Sequence, residues 1–445
     1  MERRRMAVGI PLVAMGSLIV ALVAVPALAA VPRCFGEKAT VVGTSGDDVL
    51  RGTGDDDVIA GLGGDDIISG KGGEDLICAG KGNDTVRAGG GIDLTFGGAG
   101  DDEIFGNAGA FNDAVPGPGD DFVDGGPSGE DGVVYLDAPN GVEGDLGAGT
   151  VTGHGTDEVV NVEWLIGSSF DDVLTGTDIH DGLFGADGND QLEGLGDDDF
   201  LGGGIGDDIV DGGDGFDYLG TYFLSDYYLG APPAGPIAVD LVQGILTGEG
   251  TDDLTSIEGS QGSTGDDVMI GNAEDNEFTG LLEGFDTVDG GDGDDLIDGG
   301  DGPDDLDGGA GVDTLGNLDL STGQTIDLGT QTISDGDTLA GFEDAIGTFF
   351  DDIITGSVTA NEIWGADGDD TLRGLDGDDV LIGDFPGSTE FGNDSADGGV
   401  GTDICDAETE TNCESSPPPP ASLRFAATSR ELVAYHSIRG KLAMG

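Results

Sequence analysis

The chain has 445 residues, 89 of them glycine, and its 91 aspartates and glutamates against 14 lysines and arginines give a formal charge of −77. That surplus excludes nucleic acid, whose phosphates would be repelled, and argues against an anionic membrane surface. Between Arg87 and Arg373 there is no lysine or arginine. Either that stretch is unfolded or its counter-charges come from outside the chain, and dissolved metal ions are the obvious supply.

Residues 1–29 read as an export signal. Arg3, Arg4 and Arg5 precede an apolar run from Met6 to Val25, Pro26 breaks it, and Ala27-Leu28-Ala29 is a small-residue cleavage pattern. A membrane anchor is the competing reading of the same run. With cleavage, the product is secreted, extracellular and without a membrane span. The four cysteines are Cys34, Cys78, Cys405 and Cys413. They allow three connectivities, and the local one, Cys34–Cys78 with Cys405–Cys413, is the economical choice for an exported chain. No CxxC spacing is present, so a thiolate zinc site is not expected.

After a cap over 30–42, a first array (43–133) opens with seven gapless units of nine from Gly43 to Phe105, beginning GTSGDDVLR, GTGDDDVIA, GLGGDDIIS. The sixth position is always aspartate: Asp48, Asp57, Asp66, Asp75, Asp84, Asp93 and Asp102. The eighth is apolar in all but Thr95. A lone unit surrounds Asp121. A spacer (134–166) then carries Val142-Glu143-Gly144-Asp145-Leu146 and Glu163. The second array (167–220) holds Asp172, Asp181, Asp190, Asp199, Asp208 and Asp217. The second spacer (221–261) repeats the first as Ile237 to Leu241 with Glu258, and is preceded by Tyr218, Tyr222, Phe223, Tyr227 and Tyr228. The third array (262–316) holds Asp267, Asp286, Asp295, Asp304 and Asp313, with Asn276 in place of one aspartate. The third spacer (317–346) has Gln324 to Leu328 and Glu343. The fourth array (347–406) holds Asp352, Asn361, Asp370 and Asp379, then, beyond an insertion near Phe385 to Glu390, Asp394 and Asp403. A second cap (407–414) and a Pro-rich linker with a basic tail (415–445) complete the chain. Each spacer glutamate falls nine residues before the first aspartate of the next array. The spacers therefore read as degenerate rungs that keep a solenoid going, with a separately folded insert as the alternative.

The nonapeptide GGxGxDxUx resembles the RTX, or hemolysin-type, calcium-binding repeat. The resemblance implies an all-β fold, a parallel β-roll in which the glycine-rich hexapeptide is a turn and the rest a short strand. It also implies Ca2+ ions between turns that stack two units apart, with the sixth-position aspartates as ligands and calcium as the principal partner. The chemistry agrees. Calcium wants six to eight oxygens in flexible geometry, and a glycine turn brings carbonyls close and tolerates positive φ. One buried aliphatic side chain per nine residues does not offset the entropy of ordering nine residues. Ions are therefore expected to hold the fold, and the chain to order only in calcium, after export. If an ion needs turns two units apart, arrays of about seven, six, six and six units give on the order of 17 sites.

Catalytic patterns are missing. The chain has no HExxH, no GxSxG and no DxDxDG run, and its histidines are His154, His180 and His436. Paired carboxylates are everywhere and so say nothing of glycosidase chemistry. No enzyme is expected. The alternative to a calcium-binding repeat protein is a calcium-rigidified adhesin or matrix component that presents the aromatic spacer to a cell surface or polysaccharide. An enzyme hidden in a spacer is the third reading.

Overall fold

A strand, a turn and a return to the starting edge need two nonapeptides, and the eighteen-residue repeat of strand pairing shows it. Val49–Arg51, Ile67–Ser69 and Thr85–Gly89 pair in parallel, with Leu50 opposite Ile68 and Ile68 opposite Val86. The alternate units pair among themselves in a second sheet, where Ile59 faces Ile77. The computed structural model describes residues 32–413 apart from 108–110, 128, 130, 221–234, 319 and 386–391. The expected signal sequence, Tyr222, Phe223, Tyr227, Tyr228, the Pro-rich linker and the basic tail lie outside the described residues.

Within a strand, neighbouring side chains point to opposite faces. Position eight therefore points inward: Ile59, Ile68, Ile77, Val86, Leu174, Leu183, Leu192 and Leu201 are buried between the sheets, while Val49 and Ile67 at position seven are exposed. The interior is one side chain deep from each sheet. The described residues contain no helix, and all the array strands pair in parallel, so the architecture is an all-β parallel β-roll.

The repeats run through the expected lone unit around Asp121. A ten-residue unit with Asn112 at its sixth position joins it to the rest, and Asn112 stands opposite Asp93. The spacers continue the solenoid but change the strand direction on one side. One sheet passes straight through the first spacer, Gly132–Val134 pairing in parallel with Trp164–Ile166 and that with Gly182–Asp187. The other sheet takes up an antiparallel meander of Glu143–Asp145, Thr150–Thr152 and Thr156–Val160 before parallel pairing resumes at Val173–Thr175. The second spacer repeats this with Ala238–Asp240, Ile245–Thr247 and Thr251–Thr255. The recurring aspartate of the spacers makes the hairpin. The carboxylates of Asp145, Asp240 and Asp327 accept the backbone N–H three residues on, from Ala148, Gln243 and Thr330, at 2.7, 2.8 and 2.9 Å. Such local side-chain-to-backbone bonds favour turns. In the third spacer, two residues shorter, only Thr332 bridges Asp327 and Thr338.

Both disulfides have the expected pairing, Cys34–Cys78 and Cys405–Cys413. Each ties a terminal segment to a repeat strand, where a solenoid lacks a neighbouring rung. Replacing Cys34 and Cys78 together by serine should cost about 2–4 kcal/mol locally. Amide exchange at Val41–Val42 and Val58–Ala60 should accelerate at least tenfold, with Ile353–Thr355 unchanged. Equal acceleration at both ends would show that the bridge is not a local staple.

Candidate metal centre

A side chain at position six leaves the turn just before the strand begins, so it points along the stack rather than into the core or out to water. Every candidate aspartate except half-buried Asp48 is buried there. Beyond the two turns that open each array, each carboxylate reaches back two units and accepts the N–H of the residue equivalent to itself. Asp48 donates to Asp66, Asp66 to Asp84 and Asp84 to Asp102, at 2.8, 2.7 and 2.7 Å. Asp57 to Asp75 to Asp93 form the parallel column. The columns continue through Asp102 to Asp121; Asp172 to Asp190 to Asp208; and Asp181 to Asp199 to Asp217. They go on through Asp267 to Asp286 to Asp304; Asp295 to Asp313; Asp352 to Asp370 to Asp394; and Asp379 to Asp403. The acid at position five forms an exposed ladder running the other way: Asp47 accepts from Asp65, and Asp65 from Asn83, both at 3.0 Å.

The second oxygen of each position-six carboxylate divides the turns into two kinds. Each array opens with two closed turns. In these, a residue at position two donates its N–H to the position-six side chain: Thr44 to Asp48, Thr53 to Asp57, Ser168 to Asp172, Thr177 to Asp181, Ser263 to Asp267 and Thr348 to Asp352, at 2.5–2.7 Å. Asn272 and Ser357 do the same for Asn276 and Asn361. The turns that follow are open. In all of them but the turns of Asp286 and Asp394, position two sits at positive φ: Leu62 81°, Lys71 85°, Asn107 71°, Ala186 81°, Leu195 86°, Ala366 75° and Leu375 80°, or glycine. A left-handed leucine is strained. It swings its N–H away from the carboxylate, and that of Lys71 goes to the Ala88 carbonyl instead. The Oδ2 atoms of Asp66, Asp75, Asp84, Asp93, Asp102, Asp121, Asp190, Asp199, Asp208, Asp217, Asp286, Asp295, Asp304, Asp313, Asp370, Asp379 and Asp394 are then buried with no hydrogen-bond partner.

Buried carboxylate oxygens left unpaired are costly, and these have company. A Cβ built on Gly97 would lie 2.5 Å from the Pro116 carbonyl oxygen and 2.7 Å from Asp102 Oδ2. Carboxylate and carbonyl oxygens thus approach one point beside position one, which is a small residue in most open turns, glycine or, before Asp84 and Asp93, Ala79 and Ala88. An all-oxygen donor set of this kind suits a hard divalent cation such as calcium, so the residues present fit the ion that the repeat implies. Burial raises these carboxyls, against the opposing ladder N–H and with neighbouring acids adding: Asp84 and Asp93 to about 6, Asp102, Asp190, Asp199, Asp286 and Asp295 to about 7, and Asp370 to about 8. Closed Asp57 differs. Burial would raise it, but the Thr40 hydroxyl, the N–H and hydroxyl of Thr53 and the Lys71 charge hold it below the usual range.

The ladder does not stop at the spacers, where the nine-residue spacing marked the glutamates but not the aspartates. Asp121, Asp208 and Asp304 donate to Asp157, Asp252 and Asp337. The other column, at Asp131, Asp217 and Asp313, donates to Glu163, Glu258 and Glu343. The signal was there: each spacer aspartate lies six residues before its glutamate. Asp131 and Asn112 were missed for the ten-residue spacing. Asp157 is a closed position, its second oxygen taken by the buried Tyr135 hydroxyl at 2.9 Å. His180, at position five, sets its Nδ1 against the Asp198 carbonyl.

Fold and site together define a β-solenoid whose stacked turns carry oxygen-lined cation sites. The profile of the RTX calcium-binding nonapeptide repeat (4 copies) matches seven segments, residues 42–77, 79–110, 184–219, 261–283, 282–315, 346–381 and 388–410. The chain belongs to that family, and calcium is the ion the family's repeat binds. No curated protein matches it.

The raised carboxyls fix a pH dependence. Their folded pKa values of about 6–8 lie above the unfolded value of about 4. The metal-free fold therefore binds more protons than the unfolded chain, and its stability falls as pH rises from about 4 through about 7. Calcium must displace the same protons. Circular dichroism in chelator should show more strand at pH 5 than at pH 8, and the calcium midpoint at pH 5.5 should be at least tenfold higher than at pH 7.5. A pH-independent midpoint would refute proton–calcium competition.

Proposed function

We propose that this chain is an exported, non-catalytic calcium-binding repeat protein whose open turns take up many ions and which folds as it does so. The observation that carries the reading is the unpartnered Oδ2 of the open turns, repeated through four arrays. No lysine or arginine is available between Arg87 and Arg373 to offset them. The chain's own residues do the rest. Position-six carboxylates and position-one carbonyls offer oxygen, the ladder N–H groups fix the carboxylate orientation, and position eight closes the interior. Binding free energy then becomes folding free energy, cooperative within an array because each rung touches only its neighbours. At low calcium the acidic chain stays extended, which suits passage through an export channel. At millimolar calcium outside the cell it closes.

In closed turns the position-two N–H occupies the position-six side chain, so the two that open each array should not bind. This agrees with two fewer sites than units per array, on the order of 17 ions in all. Equilibrium dialysis finding one or two ions would overturn the reading. Asp84→Ala should raise the calcium concentration needed to protect Thr85–Gly89 several-fold and leave Thr371–Asp376 unaffected, read by hydrogen exchange. A compact, β-rich chain that persists unchanged in excess chelator at pH 7.5 would show that ions do not hold the fold.

A second reading, a surface adhesin or matrix protein, is supported by a column of rings on the sheet that passes straight through the first spacer. Trp164, Phe184, Phe200 and Tyr218 follow one another at centroid distances of 5.7, 5.8 and 5.6 Å. Calcium-dependent retention on polysaccharide, lost on Trp164→Ala, would favour it.

A further inference from the structure

The C-terminal end of the roll breaks the turn pattern in a way that creates a different ligand set. Gly383 is position one of the turn that ends in Asp394, so Asp384 is its position two. In a closed turn that place holds threonine, serine or asparagine, whose N–H caps the position-six side chain. In the other open turns, that of Asp286 apart, it holds a residue at positive φ. Asp384 is neither. A carboxylate stands where a donor would stand, beside a carboxylate that needs one. Asp394 is 1 % exposed, and its Oδ2 has no hydrogen-bond partner. That oxygen lies against the same turn: a side chain added at Gly383 would meet Asp394 Oδ2 before any other atom.

A third carboxylate arrives from outside the repeats. Glu408, in the terminal cap, accepts the Asp394 N–H through Oε2 at 2.9 Å. It thus takes the place in the ladder that Glu163, Glu258 and Glu343 take at the spacers. Oxygens of Asp384, Asp394 and Glu408 lie within 4.8 Å of one another. Three carboxylates this close, one of them buried, repel strongly unless a cation sits among them.

We propose that Asp384 and Glu408 join Asp394 in a terminal calcium site, with a ligand set unlike that of the other turns, that clamps the C-terminal cap to the last rungs. Three carboxylates can offer about six oxygens, enough for calcium with water completing the shell. The neighbouring Cys405–Cys413 bridge joins the same cap to the roll, so metal and disulfide close one end together. The site takes Ca2+ as the repeats do, but it adds to the position-six Asp394 a carboxylate at position two, Asp384, where no other turn has one, and Glu408 from the cap.

The test uses the full chain, Ca2+ itself, and two variants. Asp384→Asn removes one ligand's charge. Asp384→Thr installs the hydroxyl of a closed turn and should keep the turn folded without metal. Equilibrium dialysis should find one ion fewer per chain in both variants. By hydrogen exchange, calcium should protect Ser395–Val400 and Thr409–Thr411 in the parent chain. In Asp384→Asn that gain should fall at least tenfold at Thr409–Thr411, while Thr85–Gly89 responds as before. In Asp384→Thr the same strands should be protected whether or not calcium is present. Unchanged ion number and protection in both variants would overturn the terminal site alone. Absence of any calcium response at Thr85–Gly89 in the parent chain would instead overturn the repeat reading.

Discussion

A buried carboxylate recurs about every nine residues in this protein, and from Ala88 to Leu372 there is no lysine or arginine to pair with it. Beyond the turns that open each array, one oxygen of each is satisfied by the backbone N–H of the equivalent residue two units before. The other, in the open turns, faces only carbonyl and carboxylate oxygens. Every other feature accommodates that arrangement. Position one is glycine or alanine where the carbonyl of the next rung comes close. Position two of the open turns, those of Asp286 and Asp394 apart, is held at positive φ so that its own N–H does not fill the gap. Position eight is aliphatic because it is the single place in each unit that meets the opposite sheet.

Closed and open turns are two answers to the same electrostatic problem. Where a threonine or serine precedes the aspartate by four residues, the turn satisfies its own carboxylate and needs no ion. Where leucine, lysine, alanine or glycine stands there, the turn depends on an external charge. Each array begins with two closed turns, one for each sheet. An array thus starts from rungs that stand without metal, and the metal-dependent rungs are laid on them.

The spacers keep both columns of the ladder intact while letting the chain change direction. Asp157, Asp252 and Asp337 serve one column and Glu163, Glu258 and Glu343 the other. Between them Asp145, Asp240 and Asp327 fold a hairpin back onto one sheet. One residue type therefore does two unrelated jobs. At position six an aspartate points along the stack, and in the hairpin it accepts the N–H three residues ahead.

The nine-residue period, with aspartate at six and an aliphatic at eight, marked the candidate carboxylates and carried the resemblance that implied the parallel roll, while the pairing of the four cysteines was the economical one of three. These are local and repeated, so sequence spacing maps onto spatial spacing without knowledge of the rest. Three things were decided only by the tertiary structure. The antiparallel meander of the spacers depends on which strand of the preceding array is nearest, a contact such as Phe122–Asp124 with Thr156–Val160 that spans 36 residues at its first hydrogen bond. The split between closed and open turns depends on φ at position two, which one leucine or threonine does not announce until the rung above is in place. The meeting of Asp384, Asp394 and Glu408 depends on the cap strand Thr409–Thr411 docking beside Ser395–Val400, and no period in the sequence links those three residues.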